Sequence, residues 1–451
     1  MYVDNELYTG ACAHQHDDWN IKLRTLSAIS KASHRFRELV APLVYRVYPG
    51  QTLVNPELFL ARCKANESHA NDVKELVIDP WNALSSQKTA VKEIKTLGFG
   101  GQLIATLEKH AREWQDEEHA LLLLLRCPNV EVLDTTSPSA LSKDSSVSLL
   151  FEKVRVLGLD VSTKGTTSLE NQENLSFQLP IRKLDQVHLH HAENMYVRST
   201  EAFESLMRLA TIRSLTAYRF WDKGGSLGVV GSNVQQLTLW RCSFQPHELL
   251  ADLSACTGLQ SLHIICAGFQ AILDKLVPDK WSATDFRRLS ELVRTKLQNL
   301  QTLRIDDREL QELQPVILGS FKSGPKLEHL SVNEASLATY DLPKKSGNTT
   351  ISGSKAIAAM ARLGLADMLP STLQSLSILK SNARWHEENS QGQPLALEKD
   401  GLTYKSHAIR DKVFDLISRD LDAYPQLTSI HIDTPLSFGK NIASSDGRHS
   451  V

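Results

Sequence analysis

The chain has 451 residues, with 50 Lys and Arg against 52 Asp and Glu for a formal net charge of −2, and neither sign gathers into a block. That balance excludes general electrostatic capture of nucleic acid or of an anionic membrane surface. The longest apolar run, Ala120 to Leu125, is far too short to span a bilayer, and the six cysteines are scattered without a CxxC pair, which points to a reducing compartment. The start, Met1-Tyr-Val-Asp-Asn-Glu-Leu, carries acid in place of lysine or arginine and leads into no apolar run, so no secretory signal is expected and the chain is placed in the cytoplasm or nucleus.

Residues 1–20 lack periodicity and read as a flexible arm. Cys12, His14, His16 and Asp17 lie close together there, but their spacing fits none of the usual zinc patterns, so no metal is expected. Periodicity begins at Leu23. Leu23, Leu26 and Ile29 give one helical stripe, and Phe36, Leu39, Val40, Leu43, Val44 and Val47 give another, with Pro42 expected to kink or restart the helix.

Leu26, Ile29, Ser30, Ser33, Phe36, Arg37, Leu39, Ala41, Pro42, Leu43, Tyr45 and Arg46 together resemble the C-terminal half of an F-box, especially the variety found in fungal proteins. The resemblance implies a partner, the Skp-family adaptor of a cullin ubiquitin ligase, met by Leu26, Ile29, Phe36, Leu39, Pro42, Leu43 and Tyr45. An F-box opens with a Leu-Pro-x-Glu phrase. Residues 1–20 hold only Val3-Asp-Asn-Glu6-Leu7 in its place, so the box is truncated or degenerate. Taken from the residues alone, the same helices serve as a cap over a first repeat, and the two readings stand side by side.

From Val73 onward one phrase recurs, apolar-x-x-Leu-x-apolar. Its clearest copies start at Val234, Leu259, Leu300, Leu327 and Leu373, and looser ones at Val73, Val130, Val154, Leu184, Ile212 and Leu427. Apolar residues at positions one, four and six cannot share one helix face, but they suit a short strand entered from an inward-pointing turn. This is the strand unit of a leucine-rich repeat. Helical periodicity fills the intervals at 102–127, 201–211, 247–256, 284–299, 354–369 and 407–424. The expected fold is therefore α/β: an irregular leucine-rich repeat solenoid over 70–434, with a parallel sheet on the concave side and helices on the convex side, behind an F-box-like segment at 21–50. Polar, glycine-bearing stretches near 341–354 and 381–405 read as loop insertions, and 435–451 as a mobile tail.

The sequence contains no phosphate loop, nucleophile elbow, HExxH or paired-cysteine site, so neither an enzyme nor a cofactor is expected. Phe99-Gly100-Gly101 is read as a turn. Alternation along the strands is expected to turn His188, His190, Tyr218, Trp240, His263, Arg304 and Asp306 away from the core, as an aromatic and histidine patch on the concave face. Such a patch suits a protein partner. His188 and His190 have no third metal ligand on their strand. The expected function is a protein-binding adaptor that presents a target for ubiquitin-dependent degradation, or else a repeat scaffold with no ligase partner.

Overall fold

The structure is a computed structural model and describes residues 21–50, 54–78, 118–135, 181, 183–190, 201–218, 231–240, 242, 246–265, 283–306, 320–322, 324–333, 340–341, 365–379, 398–399, 402–404 and 413–432. The expected strand at Val154 and the helix before residue 118 lie outside them. Two compact units divide the chain, Met1–Tyr218 and Arg219–Val451.

Among the described residues the first unit holds five strands: β1 (Val47–Tyr48), β2 (Glu75–Ile78), β3 (Val132–Thr135), β4 (Gln186–His190) and β5 (Ser214–Tyr218). Each pairs parallel with the next. The second unit holds β6 (Gln236–Trp240), β7 (Ser261–Ile265), β8 (Thr302–Asp306), β9 (His329–Asn333), β10 (Tyr340–Asp341), β11 (Ser375–Leu379), β12 (Glu398–Lys399), β13 (Leu402–Tyr404) and β14 (Ser429–Ile432). There β6, β7, β8, β9, β11 and β14 form a parallel ladder in that order. β10, β13 and β12 form a separate antiparallel sheet. Residues expected as plain loop at 341, 398–399 and 402–404 are thus paired backbone.

Among the described residues helices stand in most of the connections, as suits parallel pairing. In the first unit they are α1 (residues 21–32), α2 (His34–Tyr45), α3 (Pro56–Ala65), α4 (Glu67–Asp72), α5 (Glu118–Arg126) and α6 (Glu201–Arg208). In the second they are α7 (Pro246–Ala255), α8 (Ala283–Thr295), α9 (Leu365–Met368) and a helical stretch over 413–423. The result is a mixed α/β fold. No described helix is long and apolar enough to cross a membrane.

The recurrent phrase explains the register. Leu76, Leu133, Val187 and Leu215 align across the first unit, as do Ile78, Thr135, Leu189 and Ala217. In the second, Leu237, Leu262, Leu303, Leu330, Leu376 and Ile430 align, as do Leu239, Ile264, Ile305, Val332, Ile378 and Ile432. All of these outside β14 are buried, so positions four and six face the core. The opening residues Val73, Val130, Leu184, Ile212, Val234, Leu259, Leu300, Leu327 and Leu373 are each 0% exposed. Position one is core as well, reached from the turn rather than from the strand.

That turn recurs. The amide of the opening residue donates to the carbonyl three residues back, Val130 to Cys127, Leu184 to Ile181, Ile212 to Leu209, Leu259 to Cys256, Leu300 to Leu297, Leu373 to Pro370 and Leu427 to Tyr424. Those earlier residues are buried too. The structural repeat is therefore nine residues long, with apolar side chains at one, four, seven and nine.

Successive repeats are joined by a single carbonyl that accepts two amides. In the first unit Lys74 O takes the N–H groups of Glu131 and Val132, Glu131 O those of Asp185 and Gln186, and Asp185 O those of Arg213 and Ser214. In the second, the carbonyls of Gln235, Gln260, Gln301, Glu328 and Gln374 each do the same for the following strand. Side chains add to the joints: Asn129 donates to Asn71 O and Asn299 to Thr257 O, both at 2.9 Å.

One local expectation is corrected. The N-terminal helices break at Ser33, whose extended backbone (φ −160°, ψ 161°) ends the first, and whose Oγ accepts the Phe36 amide at 3.2 Å to cap the second. Pro42 lies inside α2, which runs on to Tyr45. A proline deletes one helical hydrogen bond, whereas an extended residue interrupts the whole ladder.

Candidate functional site

Two surfaces built from the predicted residues can be described. The first is on α1 and α2. Along α2 the residues Phe36, Leu39 and Leu43 follow at spacings of three and four, which stacks them on one face of the helix. They are 50%, 63% and 49% exposed, and Ile29 on α1 is 38% exposed. Val40 is the buried residue of α2, which packs on α4 and β1. Pro42 is exposed beside the stripe and Leu26 is half-buried. Leu58 on α3, which sequence reasoning did not single out, is 61% exposed.

Tyr45 stands apart from this group. Its ring stacks on His69 with centroids 3.8 Å apart and planes 10° from parallel, and lies 5.9 Å from Phe59, which in turn meets Tyr48 at 4.9 Å. This aromatic knot ties the end of α2 to α3, α4 and β1. Tyr45 is thus an internal fastener, and the stripe proper is Ile29, Phe36, Leu39 and Leu43.

The second surface is the outward side of the strands, and each unit carries its own part. In the first, Asp134, His188 and Thr216 stand in register across β3, β4 and β5, and Tyr218 pairs with His190. His188 and Tyr218 are half-buried; the side chain of His190 lies outside the described residues. Glu75 on β2 shares the outward parity and was not foreseen, because carboxylates on scattered strands leave no local motif. Burial and the nearby Asp134 push its carboxyl up, against a smaller opposing pull from Arg46.

In the second unit Thr238, His263, Arg304 and Ser331 form the outward row across β6 to β9. Trp240, at the end of β6, is half-buried. Burial, and secondarily the Arg304 cation, push the His263 imidazole down, and its Nε2 lies 3.4 Å from Ser261 Oγ. Arg304 pairs with Asp306 at 3.1 Å.

Asp306 is a correction. Parity sets it beside Arg304, but it is 3% exposed. The last residues of β7, β9 and β11, namely Ile265, Asn333 and Leu379, are buried likewise. The ends of β7, β8, β9 and β11 are thus covered, unlike that of β6, and Arg304 is more exposed than the carboxylate it pairs with. Arg304 Nε and Asn333 Oδ1 are buried with no hydrogen-bond partner among the described residues.

The chemistry these groups offer is recognition: half-exposed aromatic, imidazole and guanidinium groups on strands, and bare apolar side chains on a helix. Among the described residues no three His, Cys, Asp or Glu side chains come together in a group able to hold a metal. Compared with known proteins, the sequence matches no family model and no curated protein.

Proposed function

We propose that the chain is a non-enzymatic protein-binding adaptor, the substrate-recognition subunit of a Skp-cullin-F-box type ubiquitin ligase, built as an irregular leucine-rich repeat solenoid. The α2 stripe docks on the Skp-family adaptor, and the outward rows, concave in such a solenoid, hold the target. The adaptor contributes proximity and no bond chemistry: it keeps its target beside a ubiquitin-loading machine. In-register strands, nine-residue repeats and intervening helices support the solenoid.

The observation that carries the reading is the exposure of Phe36, Leu39 and Leu43 on a helix otherwise fixed to its neighbours. Large apolar side chains lined up on a surface mark contact sites, and scattered ones do not. These are also the residues through which the F-box resemblance runs.

Binding of the full chain to a purified Skp-family adaptor tests it. A complex of about micromolar affinity or tighter is expected. Leu39→Asp, which places a charge at the most exposed point of the stripe, is expected to weaken it more than tenfold while thermal unfolding stays where it was. No binding at tens of micromolar would overturn the ligase assignment. A second reading, a repeat scaffold whose helices only cap the first strand, draws on Tyr45, an F-box-like position spent on internal stacking with His69.

A further inference from the structure

Among the described residues the parallel ladder of the second unit ends on β14, which has β11 on one side and no described strand on the other. Its inward residues Ile430 and Ile432 are half-exposed, whereas Leu376 and Ile378, in register on β11, are 1% and 0% exposed. Leu427, which opens this repeat, is also half-exposed. In the helical stretch before it, Phe414 is 70% and Ile417 39% exposed. The inward apolar positions that are buried on the other described strands are therefore open on β14, and apolar side chains of the helical stretch before it are exposed as well.

The backbone is open as well. Gln374 O takes the amides of Thr428 and Ser429, but among the described residues no further repeat supplies two amides to Thr428 O. Sheet edges are ordinarily protected by charge, proline or shortness. The edge Ser429-Ile-His-Ile432 has neither charged residue nor proline. β1, the outer strand of the first unit, is two residues long and lies against α2.

The edge is also its own complement. In antiparallel pairing, residues directly opposite share a face, so inward must meet inward. Of the registers that satisfy this, the one centred on His431 sets both isoleucines opposite isoleucines: Ile430 meets Ile432 of a second copy, Ile432 meets its Ile430, and His431 meets His431. The axis is perpendicular to the sheet, so the helical layers of both copies stay on one side. We infer that β14 is a self-association surface, on which two copies of this chain join by antiparallel pairing about a two-fold axis through His431. The junction continues the ladder that β11 and β14 already form, and it is isologous, as two-fold contacts are.

Sedimentation of the full chain at concentrations up to tens of micromolar is expected to give twice the mass of one chain. His431→Cys places a thiol on the axis facing its own copy, so mild oxidation should convert most of that variant to a covalent dimer on non-reducing electrophoresis. Ser429→Cys, two residues off the axis, should not cross-link above the background of the parent chain. A chain that stays monomeric throughout would overturn the inference, and so would a dimer that position 431 fails to cross-link or that position 429 cross-links equally well.

Discussion

His263 and Glu75 are both half-buried on the outward side of a strand, yet burial acts on their charges with opposite consequences for stability. Burial and Arg304 favour neutral His263 in the fold, while the unfolded chain returns it to about 6.5. Unfolding therefore takes up protons below that value, and the contribution to stability is present above it and lost as pH falls from it through the lower folded value. His263→Gln is expected to flatten the decline of the denaturation midpoint between about pH 7.5 and 5.5. An unchanged decline would show that other groups set it. For Glu75 the folded carboxyl is raised above 4.5, so the fold holds the proton longer. Its contribution is present below the unfolded value and lost as pH rises through the folded one. Glu75→Gln is expected to raise the midpoint near pH 7 and to change it little near pH 4, by denaturant titration at both.

At the scale of the element, the nine-residue repeat carries the stability argument. Leu303 is 0% exposed, with Leu262 and Leu330 in register on either side. Leu303→Ala is expected to cost about 2–5 kcal/mol, read from urea unfolding, and to loosen both neighbouring strands. Positions one, four and six were readable because nearly all their occupants are aliphatic. The buried residue three places earlier was not, since Cys127, Ile181, Leu209, Cys256, Leu297, Pro370 and Tyr424 hold it in turn and no single residue type prevails. It is recognised by its carbonyl, which sequence does not display. Thr135 shows the same limit: it takes an inward place, 2% exposed, that hydrophobic pattern alone leaves blank. The α2 stripe was readable from helical period. The Ser33 cap lost out to the more conspicuous Pro42, although capping serine was the stronger local signal. Asp306 shows where alternation stops: parity gives a side chain its face, but what covers that face comes from elsewhere in the chain.

At the scale of the molecule, the first unit holds the apolar stripe and its own outward row, and the second holds a row and the open edge of β14. Self-association through that edge would give one particle two copies of the stripe and of each outward row, the surfaces proposed to hold a target. A target with two attachment points would then gain avidity that neither surface has alone. The paired carbonyl at each joint reaches further still. It fixes neighbouring repeats through two consecutive amides and makes no demand on the length of chain between them. Turn openings along this sequence, from Val130 to Leu427, follow one another at quite unequal intervals without spoiling the register. The length of an interval is accordingly open to change so long as the helical residues that pack into the core, such as Leu253 and Val293, are kept. Lineages or engineers could vary that length and give the same frame a new specificity while its register stays as it is.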